Sequence, residues 1–259
     1  MNDLFDTLAA DALATVDSGY YEQASTSEHI MASFRSNILQ NRKVAVIAEV
    51  KGASPSRGTI RSDFSPEKIS QAMARGGAVG ISVLTEPKHF SGSLNNLVRV
   101  RKSVSLPLIM KDIVVSPRQL DAAAKVGANA VLLVQAIFDK GYCPFSVGEM
   151  IAKAHLNNLE VLLETHTAAE FAEAVATKAD LVGINNRNLG TMQIDLSTTK
   201  NILSKRQGDG KVVVSESGIN TPEDLRFLRC SGADAFLIGS AIMSTYDVEA
   251  KVRELVNAT

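Results

Sequence analysis

Charged side chains stand at the ends of several short apolar segments in this 259-residue chain. Two are lysines, Lys51 and Lys111, and three are glutamates, Glu49, Glu164 and Glu216. A protonated amine can donate a proton and a carboxylate can accept one, so these residue types suit general acid–base catalysis. Because charges beside buried segments are costly unless they face a shared polar site, we expect these side chains to meet. Desolvation in such a site can turn Lys111 into an acid near neutral pH, whereas a lysine that snorkels to solvent keeps its ordinary pKa.

Other polar residues follow further apolar segments. Asn185 can donate to a carboxylate or a hydroxyl, and Arg187 can pair with a carboxylate through two parallel hydrogen bonds. His166 lies two residues beyond Glu164 and can share its face, although a lone histidine at this position is more typical of a loop. Small residues follow the last two segments, namely Ser217, Gly218, Gly239 and Ser240. Such residues let backbone N–H groups approach an anion, so they favour a phosphate site.

Eight apolar segments recur along the chain, and a segment of helical character separates each one from the next. They are Val44–Val50, Val79–Leu84, Pro107–Met110, Ala130–Gln135, Glu160–Leu163, Leu181–Ile184, Val212–Val214 and Ala235–Ile238. Near-continuous apolar strands that alternate with helices are typical of a parallel sheet buried on both faces. Eight such units predict an α/β fold with one domain over residues 1–259, a single (β/α)8 TIM barrel. In this fold the active site lies at the C-terminal ends of the strands.

Residues 1–43 precede the barrel as an N-terminal helical extension. Its first predicted helix carries an apolar stripe that includes Leu13, and the second begins at Ser27 and continues through Met31 to Ile38. The extension could cover the bottom of the barrel or form a flap near its mouth. Periodicity alone leaves both alternatives open.

The net charge and the composition of the chain exclude several classes of function. The net charge of −1 provides no field that would gather nucleic acid or an anionic membrane surface. No apolar run approaches the roughly 20 residues that span a bilayer, and the N-terminus lacks the pattern of a secretory signal, so we expect a cytoplasmic protein. The chain carries no cysteine–histidine pattern for a metal and no nucleotide-binding fingerprint. We therefore predict acid–base chemistry on a small phosphorylated molecule, without a cofactor or a metal.

Five motifs, in order along the predicted barrel, resemble the indole-3-glycerol phosphate synthase family. They are Glu49-Val50-Lys51-x-x-Ser54-Pro55-Ser56-x-Gly58, Ser82-Val83-Leu84-Thr85-Glu86 with Phe90-x-Gly92-Ser93-Leu94, Pro107-Leu108-Ile109-Met110-Lys111-Asp112, Gly183-Ile184-Asn185-Asn186-Arg187-Asn188-Leu189 and Ser215-Glu216-Ser217-Gly218-Ile219. The Lys-x-x-Ser-Pro-Ser and Asn-x-Arg-x-Leu motifs together are highly specific. The resemblance implies a lyase of tryptophan biosynthesis that needs no cofactor. Its reaction converts 1-(2-carboxyphenylamino)-1-deoxyribulose 5-phosphate to indole-3-glycerol phosphate, carbon dioxide and water.

The resemblance also implies catalytic roles. Lys111 would protonate the substrate carbonyl for ring closure, and Glu164 would be the base in the later dehydration. Lys51, paired with Glu49, would steer the substrate carboxylate or protonate the departing hydroxyl, and the division of labour between the two lysines stays open. Asn185 would hold the anthranilate part of the substrate.

Other residues would line or support the pocket, and Ser217 among them belongs to the implied catalytic set. Arg187 and Glu216 would give structural support, Ser217 would line the pocket, and Phe90 would supply the aromatic contact in a chain that lacks tryptophan. The phosphate side of the pocket would be formed by Ser54, Gly218, Gly239 and Ser240. One departure from the family pattern is Gln135, where an apolar residue is usual, and it bears on how dry the aromatic pocket is.

Two alternatives compete with this interpretation. A phosphoribosylanthranilate isomerase barrel would carry a cysteine or aspartate base near the first strand, where this chain has Glu49 and Lys51. A barrel that only binds a phosphorylated metabolite would need neither the Lys111 acid nor the Glu164 base. No second barrel follows Thr259, so we expect the monofunctional form. The sequence does not determine the oligomeric state, and a monomer is favoured.

Overall fold

The computed structural model describes residues 4–54, 58–59, 64–206 and 210–258, and for residues 53–54 and 58–59 it describes the backbone alone. Eight parallel strands form a closed barrel: β1 (Ala45–Val50), β2 (Gly80–Leu84), β3 (Leu108–Lys111), β4 (Ala130–Val134), β5 (Glu160–Thr165), β6 (Leu181–Asn185), β7 (Val212–Glu216) and β8 (Ala235–Ile238). Each strand pairs with its neighbours in chain order, and β8 closes the barrel on β1. The predicted (β/α)8 barrel is confirmed.

Helices separate the strands. They are α1 (Leu4–Asp17), α2 (Phe34–Gln40), α3 (Pro66–Gly76), α4 (Leu94–Arg101), α5 (Pro117–Lys125), α6 (Gln135–Asp139), α7 (Val147–Leu156), α8 (Ala168–Ala176), α9 (Ser197–Leu203), α10 (Pro222–Cys230), α11 (Ser240–Met243) and α12 (Val248–Val256). Residues Ala53–Ser54 and Gly58–Thr59 add a short antiparallel ladder after β1. Among the helices of the described residues, none has both the length and the hydropathy of a membrane span.

Several strands run further than the apolar segments predict. Lys111, Asn185 and Glu216 are the last residues of their strands rather than the first loop residues, and Glu164 lies inside β5. Ladder pairing continues through these positions, as in the pair of Asn185 with Glu216. Paired residues of parallel strands point to the same face of the sheet. These polar side chains therefore all point into the barrel.

The prediction for the extension is partly wrong. The first helix is confirmed as α1, but Leu13 is 38% exposed and lies outside its buried face. Ser27 does not cap a helix, because its N–H donates to the carbonyl of Lys125, and Met31 is 85% exposed. The second helix begins only at Phe34. Long-range hydrogen bonds that involve Ser27, Ile30 and Ser33 hold residues 24–33 in an irregular path and override their helical periodicity.

The extension reaches both ends of the barrel. At the mouth, Asp11 of α1 pairs with Lys88 at 2.9 Å and with His89 at 2.8 Å, in the loop that follows β2. At the bottom, the N–H of Phe34 donates to Glu160 at the start of β5, with a distance of 2.6 Å. The first helix of the extension, α1, therefore contacts the mouth of the barrel, and the second, α2, contacts its bottom.

Candidate active site

Lys111 lies at the centre of a cluster of carboxylates in the barrel mouth. Its Nζ is 2.7 Å from Oε2 of Glu216, 3.7 Å from Oε2 of Glu164 and 3.8 Å from Oε2 of Glu49. Lys51 completes the cluster, with its Nζ 2.9 Å from Oε1 of Glu49. The three carboxylates are buried and both lysine side chains are largely buried. The structure thus brings together all five charged residues that the sequence singled out.

The pKa of Lys111 is shifted in the direction opposite to the one expected from burial. Burial alone would lower the pKa of Lys111, but the carboxylates of Glu216, Glu49 and Glu164 outweigh burial, so this pKa lies above its ordinary value. Desolvation therefore does not make Lys111 an acid near neutral pH in the unliganded protein, and that expectation is wrong. It is wrong because the sequence gives the burial of the amine but not the number of carboxylates around it.

The three carboxylates respond differently to the shared environment. Burial opposes the ionisation of Glu49, yet the nearby Lys51 and Lys111 lower its pKa. Burial likewise opposes the ionisation of Glu164, and the neighbouring His166 and Lys111 lower its pKa. For Glu216 burial outweighs the attraction of Lys111, so its pKa is raised. The cluster therefore holds a protonated lysine beside at least two ionised carboxylates at neutral pH.

Glu164 is held from two sides. The Nδ2 of Asn185 donates to its Oε1 at 3.1 Å, and the Nε2 of His166 lies 3.3 Å from the same oxygen. The Oδ1 of Asn185 accepts from the N–H of Arg187 at 3.0 Å, so the amide of Asn185 is oriented by the loop that follows β6. His166 is buried against Glu164 and Glu170 rather than lying in a solvated loop. Its spacing of two residues from Glu164 was the sequence signal for this contact.

Two glycines on strands or strand ends leave room for the cluster. A Cβ on Gly239 would lie 2.4 Å from Oε1 of Glu49 and 2.9 Å from Nζ of Lys51. A Cβ on Gly183 would lie 2.4 Å from Oε1 of Glu216. From the sequence, Gly239 is expected at the phosphate and Gly183 has no expected role, because only the tertiary structure brings Gly183 next to the carboxylate of Glu216.

The loop after β7 has an unusual backbone. Ser217 has a φ of 68° and Gly218 a φ of 81°, so both lie in the left-handed region. For serine this conformation is uncommon and costs about 1–2 kcal/mol. Buried Asn186 fixes the turn by donating to the carbonyls of Glu216 at 3.0 Å and Ser217 at 3.2 Å. Sequence reasoning missed Asn186, whose position within the Asn-x-Arg-x-Leu motif was its only signal.

The remaining candidates lie around this mouth. The structure places Ser240 at the start of α11, directly after Gly239. The side chain of Ser54 lies outside the described residues. Phe90 is half-buried in the loop after β2, where its N–H donates to the buried carboxylate of Glu86 at 3.0 Å. Arg187 contacts the carbonyl of Met192 through Nη1 at 3.4 Å.

Gln135 does not reach the interior of the barrel. Its Nε2 donates to Asp139 at 2.7 Å and to Glu173 of α8 at 3.4 Å, so its amide lies between the outer helices. The preceding residue, Val134, pairs with Glu164 and shares its inward face. The departure at Gln135 therefore adds no polar group to the mouth.

The fold and the charged cluster define the class of protein, which is a (β/α)8 barrel enzyme. Its mouth carries a protonated lysine, a second lysine and several carboxylates for proton transfer. The family model for indole-3-glycerol phosphate synthase matches residues 8–255. The chain is 42% identical over 221 residues to the indole-3-glycerol phosphate synthase of Dehalococcoides mccartyi strain CBDB1, covering 84% of this chain and 83% of the relative. It is also 42% identical over 216 residues to that of Methanocaldococcus jannaschii, covering 83% and 78%. The chain belongs to the indole-3-glycerol phosphate synthase family, whose members are carboxy-lyases of tryptophan biosynthesis.

More distant solved structures share the fold alone. The thiamine phosphate pyrophosphorylase of Pyrococcus furiosus aligns with a TM-score of 0.60 at 20% identity, covering 87% of this chain and 97% of that chain. An N-acetylmannosamine-6-phosphate 2-epimerase of Clostridium perfringens aligns with the same TM-score at 17% identity, covering 84% and 93%.

Proposed function

We propose that this chain converts 1-(2-carboxyphenylamino)-1-deoxyribulose 5-phosphate to indole-3-glycerol phosphate, with loss of carbon dioxide and water. The observation that carries the proposal is the position of Lys111, which lies within 4 Å of three carboxylates in the mouth of a barrel of this family. Ring closure and dehydration both need a proton to be moved at a defined place, and this cluster contains donors and acceptors in fixed positions.

Lys111 is the general acid in the first step. As the aromatic carbon attacks the carbonyl carbon of the substrate, the carbonyl oxygen gains negative charge and takes the proton from Nζ of Lys111. Carbon dioxide then leaves the ring, which restores its electrons. A lysine of raised pKa still performs this step, because the developing alkoxide is the stronger base. Glu216, 2.7 Å from the amine, supports Lys111 in position.

Glu164 is the base of the dehydration. Its Oε1 is held by Asn185, whereas its Oε2 faces the centre of the cluster and Lys111. The carboxylate removes a proton as the hydroxyl leaves, and Lys51 either protonates that hydroxyl or steers the substrate carboxylate. Glu49 fixes Lys51 through the pair at 2.9 Å. Asn185 orients Glu164 and borders the anthranilate part of the substrate.

The substrate phosphate binds where the loops after β7 and β8 meet the loop after β1. Ser217 and Gly218 turn the backbone after β7, and the adjacent small residues after β8 leave space for an anion. Ser54, Gly239 and Ser240 complete this side of the pocket. Phe90 covers the aromatic ring, and Arg187 supports the loop that carries Asn185.

Turnover of the purified chain, followed by indole fluorescence, tests the proposal. Lys111→Met keeps the length of the side chain but removes the transferable proton, so kcat should fall by about 10²- to 10⁴-fold while substrate still binds. Lys102→Met, on an exposed residue, is the matched control and should retain wild-type turnover. Circular dichroism checks that both variants fold. Binding of the substrate by the wild-type chain without turnover would instead support a non-catalytic barrel.

A further inference from the structure

His166 is a largely buried histidine whose two ring nitrogens both face carboxylates. Nε2 lies 3.3 Å from Oε1 of Glu164, and Nδ1 lies 3.6 Å from Oε2 of Glu170. The side chain is 10% exposed, and neither nitrogen meets the geometry of a hydrogen bond within the described part of the chain. The ring of Phe5 from α1 packs against it edge to face, with centroids 5.8 Å apart. The imidazole is therefore enclosed between two acids and an apolar wall.

This placement requires a particular protonation state. A neutral imidazole carries one N–H donor and one lone pair, so one of its nitrogens would present that lone pair to a carboxylate. The imidazolium form carries a hydrogen on each nitrogen and is attracted by both Glu164 and Glu170. Burial by itself would lower the pKa of His166, but the two glutamates outweigh burial and raise the pKa to about 9.

The two carboxylate oxygens of Glu164 have different neighbours, because His166 lies beside only one of them. Oε1 accepts a hydrogen bond from Asn185 and lies 3.3 Å from Nε2 of His166, so both residues approach the same side of the carboxylate. Oε2 is directed towards Lys111, 3.7 Å away, and towards the space that the substrate would fill. Rotation of the carboxylate out of its present plane would take its oxygen away from Asn185 and His166.

We propose that His166, as a cation held by Glu164 and Glu170, is the positioning residue that fixes the Glu164 carboxylate with Oε2 towards the substrate. This inference rests on the proposed role of Glu164 as the base of the dehydration. His166 does not exchange a proton with the substrate. It keeps Glu164 ionised and oriented, and Glu170 holds His166 through its carboxylate, which also accepts from the backbone N–H of His166 at 2.8 Å.

Other charged groups face the same carboxylate and must be kept constant in a test. Lys111 approaches Glu164 from β3, and the negative charges of Glu49 and Glu216 act on it from β1 and β7. On the far side of His166, Lys140 lies over the ring of Phe5 at 5.1 Å from its centroid. Substitution of His166 leaves all of these groups in place.

Enzyme kinetics give the first test. His166→Leu fills the same space without a charge or a donor, so kcat should fall by about 10- to 100-fold while KM changes little. The acid limb of kcat/KM should move to higher pH by about one unit or more relative to the wild type, because Glu164 loses a cationic neighbour. His166→Gln restores a donor but not the charge, so it should recover part of kcat without restoring the acid limb.

His155→Leu is the matched control, since His155 also pairs with a carboxylate, Asp180 at 2.9 Å, but lies on α7. This variant should retain the wild-type kcat and pH profile. A His166→Leu enzyme with the wild-type kcat and pH profile, even at a reduced melting temperature, would overturn the proposal.

A titration by nuclear magnetic resonance tests the charge without any turnover. The chain has four histidines, so substitution of the other three assigns the ring resonance of His166 even if His166→Leu fails to fold. We expect its midpoint at about pH 9, and a lower midpoint in Glu170→Gln. A midpoint at or below the ordinary 6.5 would overturn the proposal. Because this readout is independent of substrate, a wild-type chain without turnover would refute the proposed function alone.

Discussion

Lys111 and Glu164 are prepared for their roles by opposite shifts of their pKa values. The carboxylates around Lys111 keep its amine protonated, and the cations beside Glu164 keep its carboxylate ionised. Both shifts act against the effect of burial, which favours the neutral form of each group. The acid and the base therefore coexist in their active protonation states at the same pH, without a pKa near neutrality on either.

These shifts predict a broad pH optimum. Glu164 must be ionised and its pKa is lowered, so the acid limb of the pH profile due to Glu164 lies below the ordinary carboxylate range. Lys111 must be protonated and its pKa is raised, so the basic limb due to Lys111 lies above the ordinary lysine range. We expect kcat/KM to stay level from about pH 6.5 to 8.5 once the substrate phosphate, which titrates near pH 6, is taken into account. Glu216→Gln is measured in parallel because Glu216 has a raised pKa. A limb inside this range that persists in Glu216→Gln would contradict the assignment.

Substitution of the base should separate ring closure from dehydration. Glu164→Gln keeps the shape and hydrogen bonding of the side chain but cannot accept the proton. The variant should accumulate a cyclised species that has lost carbon dioxide but not water, and quenching followed by mass spectrometry would detect it. The control Glu173→Gln, on an exposed residue of α8, should form the final product. Recovery of unreacted substrate alone from Glu164→Gln would assign Glu164 to ring closure or to substrate positioning.

The barrel strands provide the residues of the charged cluster and also the space in which these residues pack. The parallel register places Gly183 beside Glu164 on the inner face of the barrel. Gly239 follows β8 and lies against the Glu49–Lys51 pair. Any side chain at either glycine would occupy the position of a carboxylate oxygen. The site therefore depends on the absence of a side chain at Gly183 in β6 and at Gly239 directly after β8.

Gly239→Ala and Gly183→Ala should each disturb the cluster more than the fold. An extra methyl group in a packed interior costs about 1–3 kcal/mol, and displacement of a catalytic group by about 1 Å can cost about 10²-fold in rate. We expect kcat to fall by at least about tenfold in each variant, with a cooperative melting transition retained. Gly148→Ala, in α7, adds a Cβ with no atom within 4 Å and should leave kcat unchanged. Wild-type kcat in both variants would show that the cluster tolerates the methyl group.

At the scale of the whole molecule, the two ends of the barrel have separate tasks. The mouth gathers the buried charges, whereas the bottom is closed by α2, with the fully buried ring of Phe34 packed against Gly80 at the start of β2. Residues between α1 and α2 connect these ends along the outside of the barrel, where the N–H of Ser27 bonds to Lys125. In this fold, chemistry at one end and stability at the other can change independently.

Phe34→Ala should test this separation. Loss of a fully buried phenylalanine lowers the free energy of unfolding by about 3–5 kcal/mol. We expect a shift of that size in urea denaturation, with kcat near the wild-type value at 25 °C because the mouth is untouched. Phe145→Ala, at a position that is 42% exposed, is the matched control and should change stability far less. A large loss of kcat without a loss of stability would show that the bottom of the barrel also controls the site.

The number and order of the strands, and most of the residues in the mouth, could be predicted from the amino-acid sequence. Apolar periodicity is a local property, and in a parallel barrel every strand ends at the same face, so Lys111, Glu164 and Glu216 could be placed together without coordinates. Tertiary contacts decided the rest. The pKa of Lys111 depends on three carboxylates far away in sequence, and the protonation of His166 depends on Glu170 from the following helix. The irregular path through Ser27 likewise depends on a hydrogen bond to Lys125, because contacts between distant residues can outweigh the preferences of a short segment.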